Sequence, residues 1–153
     1  ARAGARFLAL SLGIPAWRPH LGRPFDRPVP GGPVPPEHPL EGVARHLAAT
    51  TEIQGSSPRT PVVGAGLSWL RALGPGVAAA MVAAGRGGAF ALGRGALACP
   101  DFAADLIRRG RLSSRKVCTT CSLCSLLLRR QERVGCVVRD PEYRHAADDG
   151  GNA

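Results

Sequence analysis

Cys118, Cys121, Cys124 and Cys136 form a C-x2-C-x2-C-x11-C array toward the C-terminus. Thiolates are soft donors, and three at three-residue intervals with a fourth farther on can close around one inorganic centre. Two centres satisfy that donor set. A [4Fe–4S] cluster takes three corners from one short segment and the last from a distant cysteine. A structural zinc ion also accepts four thiolates, but its sites more often use two separated C-x2-C pairs, so the spacing favours the cluster. Thr119, Thr120 and Ser122 lie between ligands, where they are either tuning donors to cluster sulfurs or solvated hydroxyls. Cys99, within Ala98-Cys-Pro100, stands apart and reads as a small buried hydrophobe.

Thiol use of this kind fits a reducing compartment. No charged n-region, apolar stretch and cleavage site is visible near the start, so a cytoplasmic location is expected. No apolar run approaches the roughly 20 residues that span a bilayer, and no membrane association is expected. The longest such run, Val77–Ala84, reads as a buried helix. At 153 residues and 44% apolar content the chain can build one domain with a core, although 20 glycines and 14 prolines imply much loop. The net charge of +9 rests almost wholly on arginine, with Lys116 the single lysine and aromatics at 5%. No basic run is interleaved with stacking aromatics, so nucleic-acid binding is not expected. The charge favours anionic partners, phosphates included, in a general way.

The elements that must position these thiols alternate. Phe7–Leu12 reads as a short buried strand ended by Gly13 and Pro15, and Trp17–Pro36 as a long Pro-, Gly- and Arg-rich loop. Pro39–Thr51 reads as an amphipathic helix with Leu40, Val43, Ala44, Leu47 and Ala48 on its apolar face. Pro61–Gly66 is a second strand, followed over Ser68–Ala84 by helix that Gly74-Pro-Gly76 interrupts or restarts. Gly88–Gly93 is a third strand. Pro100–Arg109 is a helix with Phe102, Ala103, Leu106 and Ile107 inward, Asp101 supporting its N-terminus and Gly110 ending it. Such β-α alternation predicts an α/β fold with a parallel sheet. A whole eight-fold barrel takes about 250 residues, so the chain can hold only part of one; an open three-stranded α/β layer is the alternative, though it leaves strand edges unpaired. Of the histidines, His38 and His145 read as solvated, His46 as solvent-facing on its helix, and His20 as a loop residue without an assignable carboxylate.

Three segments in this order, Pro61-Val-Val-Gly-Ala-Gly-Leu-Ser-Trp-Leu-Arg71, Leu92-Gly-Arg-Gly-Ala-Leu-Ala-Cys-Pro-Asp-Phe102 and the cysteine array, resemble the C-terminal part of the NADH:flavin oxidoreductase, or Old Yellow Enzyme, family. The subgroup most similar includes 2,4-dienoyl-CoA reductase and trimethylamine dehydrogenase, and it carries an iron–sulfur cluster after an FMN barrel. Pro19-His-Leu-Gly-Arg-Pro24 is similar to the segment after the sixth strand of many members. The resemblance covers about residues 6 to 140. It implies a partial TIM barrel, the last three β/α units, over residues 1–112 and an iron–sulfur segment over 113–145; residues 146–153 are expected to be a disordered tail. It also implies that the FMN phosphate is held by backbone N–H groups of Ala65, Gly66 and Leu67 and by Gly93 and Arg94. Glycines admit an anion close to the backbone and a guanidinium adds a charge-assisted bond, so the chemistry is sound. Without the resemblance, Gly66 and Gly93 read as ordinary strand-end turns and Arg94 as a surface charge.

The departures are specific. The subgroup usually has one more residue between its second and third cysteines. The first five strands, which position flavin ring and substrate, have no counterpart here, and no nicotinamide-binding unit follows the cysteines. The chain is therefore expected to be a C-terminal fragment, inactive alone, whose full-length parent would take NAD(P)H or another electron donor and a small-molecule acceptor. The alternative is a non-catalytic, zinc-stabilised binding module.

Overall fold

The computed structural model describes residues 4–15 and 17–145, so the tail expected over 146–153 lies outside the described residues. Three short strands, β1 (Leu8–Ala9), β2 (Val62–Gly64) and β3 (Ala89–Phe90), form an open parallel sheet in sequence order. Leu8 pairs with Val62 and Gly64 with Phe90, so β2 is central and buried at Val62. The fold is α/β, with a sheet that does not close.

Helices fill the crossovers. A single turn, α1 (Pro19–Gly22), breaks the expected long loop, and α2 runs over Pro39–Ser56. His38 caps α2: its Nδ1 accepts from the Leu40 N–H while the Glu41 carboxylate accepts from the His38 N–H, a reciprocal pairing of free donors. The helix outruns its expected end at Thr51 because Gln54 continues it into β2. The Gln54 amide accepts from the Val62 N–H and donates to the Ser57 and Thr60 carbonyls. A 3₁₀ turn over Leu67–Leu73 follows β2, and α3 (Gly74–Ala83) restarts there with Pro75 in its first turn, as the glycine–proline interruption predicts. After β3 come α4 (Gly93–Ala98), α5 (Phe102–Arg109) and, within the cysteine segment, α6 (Leu123–Arg129).

Five expectations need correction. His46 is not solvent-facing; it is 1% exposed. The buried face of α2 runs through Pro39, Gly42, Val43, His46 and Thr50, leaving Leu40, Ala44 and Ala48 outside. On α5, Ile107 is 86% exposed and Asp105 points inward, because Asp105 meets Arg109 and Lys116 at 3.7 and 3.8 Å. A buried carboxylate that finds cations outranks an isoleucine with nothing to pack on. The Val77–Ala84 run is not a buried helix: only Gly74 and Met81 of α3 are buried, since a three-stranded sheet covers one side only. Finally, Gly93 begins α4 and does not end a strand, because β3 stops at Phe90. No helix among the described residues is long and apolar enough to cross a membrane.

Candidate functional site

The cysteine segment folds around its own small core. Leu127 of α6 packs on Val137, with Leu123 and Tyr143 against them. Two devices deliver the fourth cysteine. Tyr143 lies flat on Gly135, where an added Cβ would fall 2.2 Å from the ring, so only glycine admits that contact. Arg139 donates through Nε and Nη2 to the Val117 carbonyl at 3.3 and 3.1 Å, pinning the chain after Cys136 to the residue before Cys118.

The result is one cavity lined by Cys118, Cys121, Cys124 and Cys136 together with Arg94 and Ser122. It spans about 300 Å³ out to its mouth. Its enclosed part has room for about one water, so seating a cluster requires the thiols to swing apart around it. Among the described residues no three His, Cys, Asp or Glu side chains stand ready to hold a single metal ion. The four thiols share a wall without forming a tight tetrahedron. Four-thiolate zinc needs sulfurs about 3.8 Å apart, from a Zn–S length of about 2.3 Å. A cluster binds each sulfur to a different iron and lets them stay farther apart. Four thiols are a donor set that either centre accepts.

Burial pushes the Cys118 thiol up, the Thr120 N–H (3.3 Å from Sγ) and Arg94 pull it back, and Cys121 and Cys136 push it up again. Cys124 is likewise raised by burial, lowered by Arg94 and raised by Cys118 and Cys121. The thiols therefore sense one another as neighbours. Cations ring them: Arg94, whose Nη2 donates to the Pro24 carbonyl at 2.9 Å while Nη1 is buried with no partner, and Arg23. Arg23 is pushed down to about 10 by burial and then by Arg94, with Cys124 acting in the opposite direction. An orphaned guanidinium nitrogen beside protonated thiols is what an anionic, thiolate-bound centre would satisfy.

Thr120 and Ser122 are buried, not solvated, and both hold left-handed backbone (φ 55 and 65) that non-glycine residues adopt at a cost. That geometry folds the C-x2-C-x2-C stretch back on itself. Cys99 is buried apart, its Sγ 3.9 Å from Asp105, and burial raises its thiol.

The turns expected to hold a flavin phosphate leave the same edge of the sheet, because β2 and β3 are parallel neighbours. Gly66 (φ 87) starts the 3₁₀ turn, and the missing Cβ is replaced by the His46 ring, whose Cγ and Cδ2 would lie 2.5 Å away. Leu67 is buried and Ala65 half-buried. Gly93 faces open space. Arg94, one residue on, reaches into the cysteine cavity. The two expected sites thus meet at Arg94. Asp101 stands at the N-terminus of α5 but makes no side-chain bond to it, supporting the helix through its carbonyl, which accepts from the Asp105 N–H. Sequence reasoning did not find Arg23, Arg139 or His46. Arg23 and Arg139 act across 99 and 22 residues, which no local spacing reveals.

Comparison with family models, curated proteins and solved structures yields no match to this chain.

Proposed function

We propose that the chain is the cofactor-binding C-terminal part of an FMN-dependent oxidoreductase of the NADH:flavin oxidoreductase type, with its sheet the last three strands of a partial β/α barrel. One observation carries the reading: four cysteines, spread over 19 positions from Cys118 to Cys136, line a single cavity beside a guanidinium with an unpartnered nitrogen. In this reading Cys118, Cys121, Cys124 and Cys136 hold a [4Fe–4S] cluster. The backbone of Ala65, Gly66 and Leu67, with Gly93 and Arg94, holds the FMN phosphate. When bound, these groups supply hydride and single-electron chemistry. The chain's own residues would bind and orient them: the thiols would ligate as thiolates, releasing their protons to solvent, Arg94 offers its free Nη1 to negative charge, and Thr120 and Ser122 are buried within the ligand loop. NAD(P)H as donor and a small-molecule acceptor belong to the longer parent.

Anaerobic reconstitution with iron and sulfide tests the reading. It should give a broad absorption near about 400 nm, with iron and sulfide in equal amounts. Cys121→Ala should weaken the band, whereas Cys99→Ala should leave it intact. Zinc in the native protein and no iron uptake would establish the zinc-stabilised module in its place.

A further inference from the structure

Arg23 directly follows α1, yet its Nη1 donates to Ser122 Oγ at 3.4 Å, 99 positions away. Ser122 lies between Cys121 and Cys124, 1% exposed and in left-handed backbone, so this contact holds the strained middle of the ligand loop. The guanidinium sits 5.0 Å over the Phe25 ring, and Phe25 is itself buried, so the platform is rigid. Among the described residues neither Arg23 nor Arg94 makes an ion pair with a carboxylate. The Arg94 charge acts on Arg23 with no carboxylate between them, an arrangement that a nearby anion would stabilise.

We propose that Arg23 is a positioning residue for the cysteine-held centre, fixing the Cys121–Cys124 loop through Ser122 and raising the centre's reduction potential. This rests on the cluster reading above. A four-thiolate cluster is anionic and gains one more negative charge on reduction, so a nearby fixed cation stabilises the reduced form more than the oxidised one.

The test compares midpoint potentials of the reconstituted protein by redox titration followed by electron paramagnetic resonance, with cluster content measured in parallel. Arg23→Gln should shift the reduction equilibrium about tenfold toward the oxidised form, about 59 mV lower for a one-electron couple. Arg23→Lys keeps the charge and should stay within about threefold of the wild type. Arg86→Gln, an exposed arginine far along the chain, should change nothing. A Gln variant that titrates with the wild type overturns the proposal, even if its cluster content falls. Should the Gln variant take up no cluster, the Lys variant decides: a wild-type potential supports the proposal and a tenfold shift overturns it. Wild-type protein that takes up no iron overturns the cluster reading itself and this inference with it.

Discussion

Gly66→Ala separates a packing requirement from a ligand requirement at the turn after β2. Two costs arise without any bound group. The backbone at φ 87 is left-handed, which costs a residue with a side chain about 1–3 kcal/mol. The new methyl would sit 2.5 Å from His46 Cγ and Cδ2, and a ring with 1% exposure has no room to retreat, so overpacking adds about 1–3 kcal/mol. The sum, about 2–6 kcal/mol, is a large part of a domain's usual stability of about 5–15. His46→Ala in the same background removes the overlap and leaves the backbone cost, so the double variant should recover about 1–3 kcal/mol relative to additivity. Urea denaturation of the wild type, both single variants and the double variant measures the four values. Additive losses would refute the reasoning. A Gly66→Ala variant as stable as wild type would also refute it, and would leave glycine there with no role except admitting an anion.

Other outcomes follow from the same contacts. Burial, with Arg45 adding to it, holds the His46 imidazole below its ordinary 6.5 despite the nearby backbone of Leu21 and Gly22. Its folded value is depressed, so its contribution to stability is present above about pH 6.5 and is lost as pH falls toward the lowered value. Melting temperatures from about pH 7.5 to 5.5 should drop for the wild type, while His46→Leu should be flatter. At the end of α6, the Gln131 N–H donates to the Leu128 carbonyl and the Glu132 N–H to that of Leu127, a reverse turn that places Gln131 at φ 58. Glycine suits that position, so Gln131→Gly should stabilise the protein by about 1 kcal/mol in thermal or urea unfolding.

Strand order and the restart at Gly74 were legible because β-α alternation and proline positions are local properties of the chain. Helix faces were less so. On α2 the apolar spacing pointed to Leu40, Ala44 and Ala48, but the buried face is set by what it meets: Thr50 and His46 pack against Gly64 and Gly66, two glycines whose missing side chains make the space. On α5, Ile107 lost to Asp105, whose carboxylate is buried where the Arg109 and Lys116 cations reach it from the surface. The four cysteines could be grouped from spacing alone, since three lie within seven residues. Their cationic surroundings could not. Arg23 and Arg94 reach the thiols through tertiary packing, and a run of twenty basic residues spread along a chain does not announce which two are buried together.

The clasp from Arg139 to the Val117 carbonyl sets an order of events. Chains fold from their N-terminal side during synthesis, and the first three thiols emerge well before Cys136 and its guanidinium anchor. Until Arg139 has left the ribosome the wall has three corners and an open side. Closure of the four-thiol wall therefore waits for translation to run past Arg139, and truncation between Cys124 and Cys136 would yield a chain that exposes three thiols with nothing to close them.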